Sequence, residues 1–465
     1  DVVYLTGITN EDVRGAPTIE KVLPKLREFL GDDPVVAHSA PFDVAFLDGA
    51  ARESLFEKRD VYDTLALARS LVPRLPSHRL VALARFFGVE PGHSHRAADD
   101  ARAVAGLFDS LLHLLSSVGT RPLTRLFALA PSPLRELFEE AVERNEGKSD
   151  PAAVPDFGES EHELLRYDNV WGERVERVLR EELVEPDVVG LEGLFESGGE
   201  LEERLPGYEE RREQLAMLRA VSDALTGGVH LVVEAGTGVG KSLAYLVPAI
   251  HFAAENGERV IVSTNTKNLQ EQLFFKDVPF IGRVLDVDFK ATLLKGRGNY
   301  ICARRWDQLL EQGVPAGERE HYLPLVLWEE ETTSGDIAEN GAFHSWGYLW
   351  SRVSADGGPC LGQRCPASDR CYLLRARRAA QASHLVVVNH SLLFSDTEAA
   401  NRILGEYSYL VCDEAHNIES VATEHLGKRV NIYRFRAALE SLFRKDTRPS
   451  GDLAELDLEI RDGVG

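Results

Sequence analysis

The sequence predicts a mixed α/β fold, with a doubly wound parallel sheet in its C-terminal half. Near-continuous runs of Val, Leu and Ile occur at residues 230–233, 260–262, 385–388 and 409–412. Such runs are typical of strands that are covered on both faces. Segments of helical character separate several of them, as expected of parallel strands joined by helices.

Composition narrows the class of protein. The 465 residues predict two to four domains. The net charge of −23 argues against a chain that coats nucleic acid non-specifically, although it permits a local basic groove. Five cysteines are too few for a disulfide scaffold, and no apolar run is long enough to cross a membrane. We therefore expect a cytoplasmic protein that does not act in a membrane.

Changes in pattern along the chain predict the domain boundaries. Residues 1–118 form one unit, with a strand at 34–37 and a long helix from about residue 96 to 115. Residues 119–205 are an acidic connector with amphipathic pieces at 123–144 and 173–183. The sheet domain covers 206–419 and is interrupted by an insert at 295–381, and another domain begins at about residue 420.

A glycine-rich loop lies between the first apolar run and a helix. The loop predicts a phosphate site, because glycines let backbone N–H groups approach an anion and the helix N-terminus adds partial positive charge. Lys241 would meet the β- and γ-phosphates of ATP, and Ser242 would hold Mg²⁺. The alternative is a glycine-rich turn without a ligand, and Ala235 stands where such loops usually begin with Gly. The residues concerned are Gly236, Thr237, Gly238, Val239, Gly240, Lys241 and Ser242.

Two acidic residues end the last apolar run. Asp413 is suited to the Mg²⁺ shell, and Glu414 to polarising the attacking water. Between them and the loop, residues 263–266 (Ser-Thr-Asn-Thr) follow another run. Their hydroxyls and amides would hold phosphates of a nucleic-acid backbone, or Thr266 or Asn265 would simply cap a helix.

Four of the five cysteines form a spaced set. Thiolates in fours hold iron–sulfur clusters or zinc. Arginines and the aromatic residues Tyr300, Trp306 and Tyr372 are interleaved with them, which suits a surface for single-stranded DNA. The alternative is a solvated helix face whose arginine stems cover apolar surface. The four are Cys302, Cys360, Cys365 and Cys371.

Together these motifs resemble the iron–sulfur superfamily 2 helicases of the XPD/DinG group. The resemblance covers about residues 206–465 and also rests on Lys-Gly-Arg-Gly-Asn-Tyr-Ile-Cys at 295–302 and Val-Asn-His at 388–390. It implies a P-loop (RecA-like) motor domain, Arg211 and Gln214 at the adenine, a [4Fe–4S] cluster on the four cysteines and an arch domain after residue 420. It further implies 5′→3′ movement on single-stranded DNA and unwinding at duplex junctions. The family's second motor domain would follow Gly465, so we expect this chain to bind ATP but not to unwind DNA.

The N-terminal unit carries a second set of candidate residues. Asp43 on a helix after a strand, and His95 close to Asp100, suit phosphodiester hydrolysis with two metal ions and a histidine base. Each acid is equally suited to a helix terminus. The unit resembles the DnaQ-like DEDDh 3′→5′ exonucleases, which have an RNase H-like fold. The resemblance implies Asp43 and Asp100 as metal ligands and His95 as general base. Ser39 replaces the usual Asn and the first acidic motif is missing, so we expect slow cleavage at most.

Three hypotheses follow. The first is an exonuclease–helicase fusion that acts on single-stranded or damaged DNA in repair. The second is a DNA-binding ATPase whose exonuclease-like domain is a non-catalytic adaptor. The third is a P-loop ATPase with structural zinc and no role on DNA. The interleaved arginines and the cysteine spacing argue against the third.

Overall fold

The computed structural model describes residues 8–57, 59–90, 97–145, 167–236, 238–344, 347–399 and 401–426, with residues 3, 432, 435 and 439. The chain divides into two compact units, each built from two stretches. The first unit combines residues 1–177 with 288–383, and the second combines 178–287 with 384–465.

The first stretch of the first unit is mostly helical. Its elements are α1 (Ile19–Leu30), β1 (Val35–Ala37), α2 (Ala40–Ala51), β2 (Val61–Asp63), α3 (Thr64–Leu71), α4 (Leu80–Phe86), α5 (Ala97–Leu115), α6 (Thr120–Leu129), α7 (Leu134–Asn145) and β3 (Val170–Trp171). Strands β1 and β2 pair in parallel. In α5, buried Leu107, Leu111 and Leu114 recur every three or four residues and form the apolar face. The predicted strand at 34–37 and the predicted long helix are confirmed.

The first stretch of the second unit contains the glycine-rich loop and the central strand. Its elements are α8 (Val188–Gly193), α9 (Glu200–Arg204), α10 (Arg212–Gly227), α11 (Lys241–Asn256), β4 (Val260–Thr264), α12 (Lys267–Gln272), a π-helical turn (Leu273–Asp277) and α13 (Val278–Val284). All five residues of β4 are buried, which agrees with the expectation of a strand covered on both faces.

The second stretch of the first unit corresponds to the predicted insert. Its helices and strand are β5 (Ala291–Leu293), α14 (Ala303–Gln312), α15 (Leu323–Glu331), α16 (Tyr348–Val353) and α17 (Tyr372–Gln381). Helix α15 packs on α3 and α6, so this stretch packs against the N-terminal one. The amide of Ala342 donates to the carbonyl of Pro73 (3.2 Å). Beside it, a Cβ on Gly341 would lie 2.1 Å from the Leu75 carbonyl, so the close approach requires glycine.

The second stretch of the second unit completes a parallel sheet. It contains β6 (Leu385–Asn389), α18 (His390–Glu398), β7 (Tyr409–Cys412) and α19 (Ile418–Leu426). Strand β4 pairs in parallel with β6 on one side and with β7 on the other. The three apolar runs at 260–262, 385–388 and 409–412 are therefore confirmed as strands of one parallel sheet.

The fourth predicted strand, at residues 230–233, is wrong. These residues have no regular structure, and Val232 is 96% exposed. Within the described residues β7 pairs with β4 alone, so the 230–233 run has no ladder of hydrogen bonds to hold it extended. An apolar run alone therefore did not make a strand.

The predicted amphipathic piece at 173–183 is also not a helix. The Arg180 amide donates to the Asn256 carbonyl instead of to a helical partner. Just after this piece, the Asn256 side chain bonds to the backbone N–H and C=O of Val184. The piece at 123–144 is confirmed as helices α6 and α7. No helix among the described residues is long and apolar enough to span a membrane.

Candidate nucleotide, cysteine and nuclease sites

The glycine-rich loop has the backbone geometry of a phosphate cradle. Gly238 and Gly240 have positive φ angles of 84° and 79°, which favour glycine. Helix α11 begins immediately afterwards at Lys241, so its free N–H groups face the loop. A Cβ on Gly240 would also lie 2.4 Å from Gln214 Nε2, so this side chain would have to shift. Thr237 lies outside the described residues.

Arg211 and Gln214, the two residues predicted at the adenine, hydrogen-bond to carbonyl groups of this loop. Gln214 Nε2 donates to the Gly240 carbonyl (2.9 Å), and the Arg211 guanidinium donates to the Gly238 carbonyl. The Tyr208 hydroxyl donates to the Phe195 carbonyl (2.8 Å) and lies 3.4 Å from Gln214 Oε1. Both side chains therefore stabilise the loop conformation, and their contact with adenine stays a prediction.

The acidic pair after β7 faces the loop. The Asp413 amide donates to the Ser263 carbonyl (2.8 Å), which continues the β4–β7 ladder by one residue. Lys241 Nζ lies 3.6 Å from Glu414 Oε1 and 3.4 Å from the Ala235 carbonyl. Burial and the neighbouring Glu414 carboxylate raise the pKa of Asp413, while Lys241 lowers it. The predicted lysine and carboxylates are therefore brought into one site.

For the segment at 263–266, the sequence left open contacts with DNA phosphates or a helix cap. Thr266 Oγ1 accepts from the Leu269 amide (3.2 Å), so the helix-cap interpretation is confirmed for this residue. Thr264 Oγ1 donates to Asp413 Oδ2 (3.5 Å), and Ser263 is fully buried. Asn265 is half-buried, and Lys267 and Asn268 are exposed. Contacts of this segment with DNA stay a prediction.

Sequence reasoning missed three side chains near the acidic pair. Tyr245 is buried one helical turn after Lys241, beside Ser242 and Asp413, and burial raises its pKa well above the usual value. Its spacing from Lys241 was the available signal, because residues four apart share a helix face. Asp277 ends the π-helical turn, and burial raises its pKa to about 6, with Asp413 acting in the same direction. The third residue is His390, whose ring contacts Ser263.

The four predicted cysteines line one cavity, together with residues that include Arg304 and Arg305. Cys302, Cys365 and Cys371 are half-buried and Cys360 is exposed. Burial raises the pKa of Cys371, and the nearby Cys302 and Cys360 act in the same direction. Within the described residues, no three His, Cys, Asp or Glu side chains are grouped closely enough to hold one metal ion. The four thiols nevertheless line one shared cavity.

The aromatic residues near the cysteines do not form the predicted stacking surface. Tyr300, Trp306 and Tyr372 are all buried in the core of the first unit. Lys295 is only 2% exposed and pairs with Asp336 (2.7 Å). Trp306 packs against Tyr322, with ring centroids 6.2 Å apart, and the Tyr372 hydroxyl donates to the Glu329 carbonyl (3.1 Å). Both rings therefore face the interior of the insert. The arginines near the cysteines that stay exposed are Arg297, Arg364, Arg370, Arg375 and Arg378.

An ion-pair network joins the cysteine segment to helix α6. Arg370 lies 3.2 Å from both Asp307 and Glu329. Glu329 also pairs with Arg125 of α6 (3.3 Å), which reaches Glu330 at 2.8 Å. Burial raises the pKa of Glu329, and its arginine partners lower it. The residue next to Cys371 is thus connected to the N-terminal stretch through one buried carboxylate.

In the N-terminal module, residues 1–118, Asp43 lies near Asp63, an acid that the sequence analysis did not single out. Asp43 lies on α2 directly after β1, as predicted. Asp63 Oδ1 accepts from the amides of Ser39 (2.9 Å) and Leu65 (2.9 Å), which fixes the left-handed turn at Ser39. Burial raises the pKa of Asp43, and Asp63 acts in the same direction. The signal for Asp63 was an Asp-Thr pair at a strand end, a common helix cap.

The remaining predicted nuclease residues are only partly described. Asp100 lies in the first turn of α5 and is half-buried. His95 and residues 4–7 lie outside the described residues. The role of Asp100 as a metal ligand and that of His95 as general base stay predictions.

Two family models match separate parts of the chain. Residues 1–108 match a family described as exonuclease, and residues 215–292 match the DEAD/DEAH box helicases. The chain joins an exonuclease domain to a DEAD/DEAH box helicase domain. The predicted fold class, an RNase H-like domain followed by a P-loop motor domain, is thereby confirmed.

Individual relatives cover different shares of the chain. A "3'-5' exonuclease DinG" of Bacillus subtilis is 30% identical over 95% of this chain and 47% of its own length. An "ATP-dependent DNA helicase YoaA" of Haemophilus influenzae is 38% identical over 51% of this chain and 38% of its own length. An "ATP-dependent helicase DinG" of Mycobacterium tuberculosis is 38% identical over 47% of this chain and 36% of its own length. The chain spans less than half the length of each.

The raised pKa of Asp277 predicts a pH-dependent gain in stability for Asp277→Asn. The pKa of Asp277 in the folded protein, about 6, is above the usual value of 3.8, so this carboxyl destabilises the fold as pH rises through that interval. At pH 8 we expect the variant to unfold at a higher urea concentration than the wild type. Its free energy of unfolding should be larger by about 1–2 kcal/mol after allowing for solvent screening. The difference should vanish near pH 4. The exposed Asp286→Asn serves as control, and an equal gain there would contradict the burial argument.

Proposed function

We propose that this chain belongs to an ATP-dependent DNA helicase of the DinG type that moves 5′→3′ on single-stranded DNA and carries a 3′→5′ exonuclease domain for DNA repair. The proximity of Lys241 Nζ to Glu414 Oε1, 3.6 Å, at the start of α11 carries the ATPase part of this proposal. It places a cation for the phosphates beside a carboxylate that can polarise water. The names of the relatives support the helicase and exonuclease parts. The direction of movement and the role in repair rest on the resemblance to the XPD/DinG group.

The chain's own residues divide the work of ATP hydrolysis. The loop amides and the α11 N-terminus bind the phosphates, and Lys241 neutralises the charge on the transferred group. Ser242 and Asp413 provide the oxygen ligands for Mg²⁺, which would neutralise phosphate charge when bound. Glu414 orients water for attack. The Thr264 hydroxyl on Asp413 restricts the rotation of that carboxylate.

The ATP site is tested by two variants with different expected results. Lys241→Ala should weaken the binding of a fluorescent ATP analogue at least ~10-fold, because a charge-assisted contact is lost. Glu414→Gln should bind the analogue as the wild type does, because its role lies in the hydrolytic step. Arg283→Ala, exposed at the end of α13, is the control. Unchanged binding in Lys241→Ala would remove the basis for the proposal.

We also propose that Cys302, Cys360, Cys365 and Cys371 hold a [4Fe–4S] cluster. The four thiols line one cavity, and each thiolate of a cluster binds a different iron. Zinc sites more often pair cysteines two to four residues apart, a spacing that Cys302 does not show to any of the others. Bound there, the cluster would cross-link the segments that carry the cysteines. The exposed Arg364, Arg375 and Arg378 near it suit contacts with DNA phosphates.

Iron content distinguishes the two metals. Chain purified without oxygen should carry about four irons and absorb broadly near ~400 nm. Cys365→Ser should lose both iron and colour, whereas Cys412→Ser should keep them, since Cys412 lies in β7. About one zinc per wild-type chain would refute the cluster and favour a structural zinc site.

For the N-terminal domain we propose removal of nucleotides from 3′ ends, with Asp43 and Asp100 as metal ligands and His95 as general base. The proximity of Asp43 to Asp63 supports a site for cations, because closely spaced carboxylates attract them. A manganese-dependent release of nucleotides from a labelled single strand should be lost in Asp43→Asn. It should be kept in Asp109→Asn, an exposed change on α5. Wild-type chain that binds DNA without cutting it would favour the adaptor hypothesis.

A further inference from the structure

His390 connects the ATP site with the end of β4. It is the first residue of α18, whose cap is the Asn389 side chain, so the helix start fixes its position. His390 Nδ1 lies 2.7 Å from Ser263 Oγ, and both residues are fully buried. The Ser263 carbonyl in turn accepts from the Asp413 amide (2.8 Å). One serine therefore bonds to both the imidazole and the acidic turn.

The other side of the imidazole faces the acidic turn. His390 Nε2 is buried and finds no hydrogen-bond partner of good geometry among the described residues. The backbone of Asp413 and Glu414 acts on the ring, in opposition to the larger effect of burial on its pKa. Glu414 has φ 54°, a left-handed conformation that is unfavourable for a non-glycine residue. Such a conformation persists only where its surroundings hold it.

We propose that His390 is a positioning residue that couples occupancy of the ATP site to the grip of the β4–α12 segment on single-stranded DNA. This inference rests on the proposed function. An imidazole is rigid, so a shift of the Glu414 turn against Nε2 must move Nδ1 and the Ser263 bonded to it. Ser263 begins the 263–266 segment, whose last residue caps α12. The partner is the phosphate backbone of a single strand, because the half-buried amide of Asn265 and the exposed Lys267, next to the segment, suit phosphate contacts.

Thermodynamic linkage measures this coupling directly in the full chain. The dissociation constant of a fluorescent oligothymidylate is determined with and without a saturating non-hydrolysable ATP analogue and Mg²⁺. The ratio of the two constants is the coupling factor, for which ~5–150-fold is typical. We expect a factor in this range for the wild type. His390→Ala should bring it close to 1, while nucleotide and DNA binding measured separately stay near wild-type values.

Two conservative variants separate the two ends of the ring. The amide of Asn reaches the position of Nδ1, so His390→Asn keeps a partner for Ser263 and loses the contact with the turn. The longer Gln reaches the position of Nε2 and does the reverse in His390→Gln. If the ring acts as a connection, both variants lose coupling. If it only fills space, both keep it. Ser383→Ala removes another buried hydroxyl pair, Ser383 with Thr292 (2.7 Å), and should retain the wild-type factor.

The outcomes separate this inference from the function on which it rests. Wild-type chain that binds ATP and DNA without coupling overturns the inference and leaves the proposed ATP site intact. Wild-type coupling in all three His390 variants also overturns it. Failure of the wild type to bind nucleotide overturns the proposed function and the inference together. Should the His390 variants not fold, Ser263→Ala keeps the ring in place and is expected to lose the coupling, so a wild-type factor there is decisive against the inference.

Discussion

The parallel register of β6, β4 and β7 is the constraint on which the helicase site depends. Ser263 of β4 is opposite Val388 on one side and Cys412 on the other, so all three strands end at one edge of the sheet. The residues that follow each strand must therefore meet there. Three segments far apart in sequence, at 264–266, 390 and 413–414, become neighbours without any long-range motif. This edge is where open α/β sheets place their ligands.

Positive φ angles occur in both candidate sites. Gly238, Gly240 and Glu414 have them in the helicase site, and Ser39 has one before Asp43 in the N-terminal stretch. Glycine adopts this conformation at no steric cost, whereas Glu414 and Ser39 do not. Hydrogen bonds therefore have to hold them. Asp63 does so at Ser39, and the β4–β7 ladder continues up to Asp413 next to Glu414. The site is preorganised by packing beneath it, which lowers the ordering cost on binding.

Features that depend on residue type and local spacing were predicted correctly from the sequence. Features that depend on packing against distant parts of the chain were not. The loop at 236–242, the acidic pair and the grouping of four cysteines follow from residue type and spacing. The 230–233 run failed because a strand needs a neighbour, and hydrophobicity alone does not supply one. Trp306 and Tyr372 were misinterpreted because spacing does not show which face of a helix is covered. Asp277 depends on a π-helical turn, for which the sequence has no reliable signal.

Ion pairs of Glu329 connect the insert with the N-terminal stretch of the first unit. Glu329 is nearly inaccessible and carries a carboxylate that water cannot stabilise, so Arg125 and Arg370 must both stay in place. Breaking a buried pair typically costs about 3–5 kcal/mol, because the remaining charge is left without compensation. Arg370 precedes Cys371, and Arg125 lies on α6, which packs on α15, as does α3 of the N-terminal stretch. Disorder in the cysteine segment would therefore uncover a charge on α15, where the N-terminal stretch packs, so the two parts should unfold together rather than in sequence.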